Sequence, residues 1–185
     1  MIAGLILAAG AGRRMGGAKA ILEINGVRLV DLAVANFKSA GIDNIFVVLG
    51  AWIGEVEGAE IIVNAEWESG MASSLQTGLR HIGEIAEIDS VLVSLVDLPG
   101  LTAQAIAVIA KTPRDVVVAT YKEVPGHPAK FARVHWAGII EAAHGNVGAR
   151  DYLAGRSDIH YLRLDDLADG SDLDSPEDFE RHLGR

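Results

Sequence analysis

One mostly parallel β-sheet with helices on both faces is the fold this sequence predicts. Two observations carry the expectation. Apolar runs of strand length alternate with apolar residues at helical spacing along the whole chain, which is the pattern of repeated β–α units. A glycine-rich stretch follows the first apolar run, and Asp97 follows a later one. Both then fall at the carboxyl edge of the sheet, where ligands of such folds bind.

The elements follow in order. Residues 2–8 (IAGLILA) form a continuous apolar run, as a buried parallel strand does. Residues 29–37 place apolar side chains at helical spacing, and Gly41 follows as a stop. Residues 44–49 (NIFVVL) and 60–63 (EIIV) read as the next two strands, and 71–82 as a helix opened by Gly70. Residues 90–96 (SVLVSLV) are a strand with Asp97 at its end, and 103–110 a helix. Residues 115–119 (DVVVA) are a strand, 129–132 a short strand, and 134–143 a helix. A last strand spans 159–164 and a closing helix spans 176–183. Ser175, Pro176 and Asp178 mark that helix start as N-cap, first-turn proline and N3 acid. No repeat, low-complexity tract or linker interrupts the order, so one domain over 1–185 is expected.

Composition narrows the function. Half of the 185 residues are hydrophobic, enough for a sizeable core. Lys plus Arg is 16 and Asp plus Glu is 25, a formal charge of -9. That sign opposes bulk attraction to nucleic acid or an anionic membrane, so neither is an expected partner. An anionic ligand must be met by a local device. The chain has no cysteine, which removes disulfides, thiolate metal sites and thiol nucleophiles. The first apolar run is too short to span a bilayer and lacks a signal peptide's basic start, so a soluble, cytoplasmic protein is expected.

The local device is residues 7–19, LAAGAGRRMGGAK. Its glycines are not spaced as G-x-G-x-x-G, and Ala18 and Ala20 break a Gly-Lys-Ser/Thr ending. The chemistry is nonetheless that of a phosphate site. Glycines let backbone N–H groups approach oxygens, Arg13 or Arg14 can clamp a phosphate bidentately, and Lys19 adds a point charge. Asp97 is placed to hold Mg²⁺, which takes oxygen ligands from one or two carboxylates plus phosphates. The second carboxylate is open among Asp169, Asp172 and Asp174. Extended backbone would put Asp172 and Asp174 on one face. Ser73 and Ser74 read either as capping hydroxyls or as contacts to base or ribose at an anion-favouring helix start. His127, between Gly126 and Pro128, suggests a fixed loop. Trp67 reads as a core or loop anchor. His81, His135, His144, His160 and His182 show no metal-ligand spacing.

Residues 7–19 resemble the signature of nucleotidyltransferases that attach a nucleotide to a phosphorylated acceptor. Further stretches resemble the molybdenum cofactor cytidylyltransferases of the MobA-like NTP transferase family: 64–75 (NAEWESGMASSL), 95–99 (LVDLP), 126–128 (GHP), 145–150 (GNVGAR) and 172–178 (DLDSPED). One departure is visible, since Asn146 stands where the family usually has aspartate. The resemblance implies a Rossmann-like domain of the nucleotide-diphospho-sugar transferase type. It implies Mg²⁺-dependent transfer of CMP from CTP to molybdopterin with release of pyrophosphate. It assigns catalysis to Arg14, Lys19 and Asp97, and nucleotide binding to Leu7, Ala8, Ala9, Gly10, Gly12, Arg14, Lys19, Ser73 and Ser74. His127 and Arg150 are implied for the acceptor, and Asp172 beside Asp97 for the metal. Ala9, where guanylyl-transferring relatives tend to carry glycine, points to a pyrimidine. A recipient molybdoenzyme or its chaperone is the implied partner. A guanylyltransferase on the same pterin, a sugar-phosphate nucleotidyltransferase and a non-catalytic nucleotide-binding module are the alternatives.

Overall fold

The structure, a computed structural model, describes residues 1–182. The elements are β1 (Ile2–Leu7), β2 (Glu23–Ile24), β3 (Val27–Arg28), α1 (Leu29–Ser39), β4 (Asn44–Leu49) and β5 (Glu60–Val63). There follow α2 (Met71–Gly83), β6 (Ser90–Leu95), α3 (Ala103–Lys111), β7 (Val116–Tyr121) and β8 (Val124–Ala132). The chain ends with α4 (Trp136–Ala142), α5 (Arg150–Leu153), β9 (His160–Arg163) and α6 (Pro176–His182). Leu183, assigned to the closing helix from sequence, lies outside the described residues.

Seven strands form one sheet in the order β5-β4-β1-β6-β8-β7-β9. Only β8 runs against the others. The alternation of side chains along each strand feeds two cores. Ile6, Val47, Leu92 and Val117 face Leu29, Val34 and Phe37 of α1 and Ile106 and Ile109 of α3. Leu5, Val48, Val91 and Val118 face Leu75, Leu79 and Ile82 of α2 and Trp136 and Ile139 of α4. Both faces of the central strands are therefore covered, which is why their sequences read as unbroken apolar runs. Gly78 lets α2 lie close on β1, since a Cβ there would sit 2.6 Å from the Leu5 side chain. No described helix is long and apolar enough to cross a membrane.

Five features depart from what the sequence predicts. The strand expected at 129–132 begins at Val124, because Pro125, Gly126 and Pro128 disguise its first half. His127 is therefore on a strand, not in a loop. The β7–β8 turn is made by Lys122 (φ 49°) and Glu123 (φ 67°), both left-handed without the usual Asn-Gly signal. The expected helix over 134–143 opens as a 3-10 turn, Arg133–His135, before α4 begins. The short hairpin β2–β3, which does carry Asn25-Gly26, and the single turn of α5 were not foreseen.

Connectivity fixes where a ligand goes. From β1 the chain moves to β4 and β5 on one side, then returns to β6 on the other. The carboxyl ends of β1 and β6 flank that reversal, the switch point where such sheets open a crevice. Leu7 leads into the glycine loop there, and β6 delivers Asp97.

Candidate active site

The loop after β1 continues the sheet's pairing before it turns. The Ala8 N–H donates to the Val48 carbonyl at 2.9 Å, and the Ala51 N–H to the Ala9 carbonyl at 3.0 Å. Leu7, Ala8 and Ala9 are buried, and Gly10 emerges into solvent. Gly12 is left-handed (φ 55°), and a Cβ on it would sit 2.0 Å from the Gly17 carbonyl oxygen. Only glycine fits there, and the loop closes through the Met15 N–H on the Gly12 carbonyl at 2.7 Å. The 3-10 turn Arg13–Met15 sends the two arginines apart. Arg14 lies 3.2 Å from Asp174, and Arg13 lies 3.8 Å from Glu68. Arg14 is thus the arginine turned toward Lys19 and Asp97.

Lys19 ties the ends of the site together. Its Nζ donates to Asp97 Oδ2 at 2.6 Å and to Asp174 Oδ1 at 2.7 Å. Lys19 is 17% and Asp97 13% exposed, whereas Asp174 is 42% exposed. Burial pulls the Lys19 pKa down, but the Asp97 charge and the hydrogen bonds to both carboxylates outweigh it and hold the pKa above its usual value. The same hydrogen bond from Lys19 holds Asp174 below the usual carboxylate range, with Arg14 adding to it. Asp97 Oδ1 is buried and has no hydrogen-bond partner among the described residues.

The segment after β9 brings Asp174 to this point. The Leu173 N–H donates to the Asp97 carbonyl at 3.0 Å, and the buried Leu173 side chain anchors the strand-like stretch. Asp174, not Asp172, is the carboxylate set beside Asp97. Asp172 is exposed on the wall of a neighbouring cleft, where its charge acts on His127. The third candidate, Asp169, accepts from the Ser171 N–H at 2.9 Å and shapes its own turn. The start of α6 is the capping box read from sequence: the Asp178 N–H donates to Ser175 Oγ, and the Ser175 N–H to Asp178 Oδ2.

Ser73 and Ser74 do not cap α2. Asn64, buried at the end of β5, donates to Ser73 Oγ at 2.8 Å and to Ser74 Oγ at 3.0 Å. The first-turn N–H groups of α2 are taken by the loop after α4. The Met71 N–H donates to Asn146 Oδ1 at 3.2 Å, and the Ala72 N–H to the Gly145 carbonyl at 2.9 Å. The helix start is therefore already satisfied and is not an open anion site. An amide oxygen accepts that bond as a carboxylate would, which accounts for asparagine at 146. In the sequence Asn64 stands out only as the first residue of the 64–75 stretch. Its signal was a polar residue directly after an apolar strand. Trp67 is half-buried against the α2-side core, beside Gly50, as an anchor.

A cleft of about 620 Å³ opens beside this centre. Leu7, Leu95, Val118 and Phe131 belong to its lining, with His127, Arg150 and Asp172 also on its walls. A register shift places His127 there: two steps along β7, Val118 to Thr120, are matched by four along β8, Ala129 to Pro125. The Tyr121 hydroxyl holds the His127 carbonyl at 2.9 Å. Enclosure by the cleft walls pushes the His127 pKa down to about 4, against a weaker opposite pull from Asp172. The ring is only partly covered by surface, yet the low value leaves it neutral at pH 7. Arg150 is exposed and makes no ion pair among the described residues.

A glycine loop and a lysine shared by two acids, both at the switch point of a mostly parallel sheet, are the arrangement expected of an α/β nucleotidyltransferase. The chain belongs to the MobA-like NTP transferase domain family, which it matches over residues 4–162. It is 30% identical to nicotine blue oxidoreductase of Paenarthrobacter nicotinovorans, over 98% of this chain and 96% of that one. It is 26% identical to purine catabolism protein PucB of Bacillus subtilis, over 96% and 93%. Among solved structures, the Mycobacterium tuberculosis Rv0371c homolog from Mycobacterium sp. strain JC1 matches with a TM-score of 0.82 at 26% identity, covering 99% of this chain and 95% of that one.

Proposed function

We propose that this protein transfers CMP from CTP to the phosphate of molybdopterin or molybdenum cofactor, with Mg²⁺ and with release of pyrophosphate. The observation that carries the reading is Lys19 held between Asp97 and Asp174 at the foot of the glycine loop. Both substrates are anions, so the site must neutralise charge before they meet, and then position them. An oxygen of the acceptor phosphate attacks the α-phosphorus of CTP. The bond from that phosphorus to the bridging oxygen of the β-phosphate breaks, and pyrophosphate leaves with its electron pair.

Arg14 and Lys19 serve the triphosphate, Lys19 by exchanging a carboxylate partner for a phosphate oxygen. The unpartnered, buried Asp97 Oδ1 fits a hard cation, and Asp97 with Asp174 would hold it. Bound Mg²⁺ supplies neutralisation of phosphate charge. Ser73, fixed by Asn64, faces the ribose or base, and Ala9 narrows the space beside the base in favour of a pyrimidine. Neutral His127 and charged Arg150 serve the acceptor. The product then passes to a recipient molybdoenzyme or its chaperone in the cytoplasm.

A second reading rests on the 30% identical relative that is named an oxidoreductase. On that reading the loop holds a redox nucleotide and the cleft its substrate. One screen separates the two. CTP, GTP, ATP and UTP are tested for pyrophosphate release against molybdopterin and sugar phosphates, beside NADH and NADPH oxidation. Mg²⁺-dependent release from CTP with molybdopterin is expected. CTP binding without release, release with another pair, or nicotinamide oxidation alone would each overturn the assignment.

A further inference from the structure

Two arginines line the same cleft, and their charges are handled in opposite ways. Arg150 is exposed and unpaired among the described residues. Arg156 is held on three sides. Its Nε and Nη2 donate to Asp158 at 3.0 and 2.6 Å, and its Nη1 donates to the Tyr152 hydroxyl at 3.0 Å. Its guanidinium carbon stands 4.7 Å from the Tyr152 ring centroid. Tyr152 is fixed in turn. Its hydroxyl meets His135 Nδ1 at 2.8 Å, and its ring lies against Gly138, where a Cβ would sit 2.5 Å from ring Cε2. Neither Tyr152 nor Asp158 lines the cleft, whereas Arg156 does and is 28% exposed.

A guanidinium carries five N–H donors, and three of these are spent. One remains on each terminal nitrogen, and both are free to donate into the cleft. Asp158 offsets the charge, so Arg156 attracts an anion less than unpaired Arg150 does while keeping its directional donors. A carbonyl oxygen or ring nitrogen suits it better than a phosphate does. Tyr161, 53% exposed, presents a ring on the same cleft, a platform for a flat partner. We propose that Arg156, positioned by Asp158 and Tyr152, reads the neutral hydrogen-bonding edge of a flat heterocycle on the acceptor, and that unpaired Arg150 takes the acceptor's phosphate. The proposal rests on the transferase reading only in giving this cleft to the acceptor.

Two probes test it by fluorescence quenching on the intact protein: 6-hydroxymethylpterin, which has the ring alone, and its monophosphate. The wild type binds both, the phosphate ester more tightly. Arg156→Met and Arg156→Lys weaken both by about tenfold or more, as expected for two lost charge-assisted hydrogen bonds, and keep the preference for the ester. Arg150→Met removes the preference and leaves ring affinity in place. Asp158→Asn uncovers the Arg156 charge and raises the preference. Thermal unfolding checks that each variant is folded. Unchanged ring affinity in folded Arg156→Met, or no ring binding by the wild type, overturns the proposal. Failure of the transferase reading shows separately, as absent pyrophosphate release by a wild type that still binds the ring.

Discussion

Replacing Lys19 with methionine keeps most of the side-chain length and deletes the ammonium. The cost falls mainly on Asp97. Asp174 keeps Arg14 and opens to water, but Asp97 is 13% exposed and its Oδ1 already lacks a partner. Without Lys19 neither oxygen of Asp97 is bonded. Stranding one member of a buried pair costs about 3–5 kcal/mol, and the residual exposure here trims that to about 2–3 kcal/mol. For a chain of this size the loss corresponds to about 4–12 °C in melting temperature. The assay is reversible unfolding in chelator of the wild type, Lys19→Met, Asp97→Asn and the double variant. Asp97→Asn alone costs little, about 1 kcal/mol or less, because Lys19 keeps Asp174. In the Lys19→Met background the same change removes a stranded charge and stabilises. The coupling is therefore large and changes the sign of the second substitution. Full stability in Lys19→Met, or simple additivity, would refute the account. Turnover of Lys19→Met falls by about 10²–10³, the usual loss for one preorganised contact to developing charge.

The remaining predictions concern chemistry and pH. Asp97→Asn and Asp174→Asn lose turnover that raised Mg²⁺ or Mn²⁺ partly restores, whereas Asp172→Asn shows no such metal rescue; rescue confined to Asp97 and Asp172 would return the metal to the pair favoured by sequence. Ala9→Gly shifts the ratio of kcat/KM for CTP over GTP toward GTP by about 1–3 kcal/mol, and an unchanged ratio places base selection elsewhere. His127, at about 4 in the folded state and about 6.5 unfolded, binds its proton more readily in the unfolded chain between those values. Stability from His127 is therefore present above the unfolded value and is lost as pH falls toward 4. His127→Gln flattens the pH dependence of unfolding in that window, and an unchanged slope would assign it to other groups.

Legibility in the sequence followed the range of the interactions. Strand β4 is bounded as its apolar run suggests, because burial on both faces writes itself into consecutive residues. The capping of α6 was equally plain, since Ser175 and Asp178 are three residues apart. The reversed strand β8 was half hidden, because its prolines and glycine are tolerated only by a register shift that pairing with β7 reveals. The site divided in the same way. The glycines and three cations of residues 7–19 singled out that loop, but nothing local separates Asp172 from Asp174. Their difference is made by Lys19, 155 residues from Asp174 along the chain. The partners of Asn64 and Asn146 were hidden for the same reason. Asn64 fixes serines on α2, and Asn146 caps that helix from the loop after α4.

The three cations of the opening loop are already engaged: Arg13 with Glu68, Arg14 with Asp174, and Lys19 with Asp97 and Asp174. A chain of net charge -9 thus holds the cations of this loop in an internally neutralised state. A triphosphate that draws Lys19 and Arg14 to itself strands the acids they leave. A divalent cation alone must compete with the Lys19 ammonium for the same oxygens. Each ligand thereby removes the penalty of the other, and by linkage the effect is reciprocal. CTP in chelator and Mg²⁺ without nucleotide should each bind weakly, and each should tighten the other by about 5–150-fold, the ordinary span of such coupling. Titration calorimetry of each ligand in the presence and absence of the other measures both sides of the cycle. In Lys19→Met the cation side no longer meets a competing ammonium, so Mg²⁺ alone binds more tightly than in the wild type and the coupling shrinks. Equal Mg²⁺ affinity in the two proteins would mean that the Lys19 bridge is not what links nucleotide to metal.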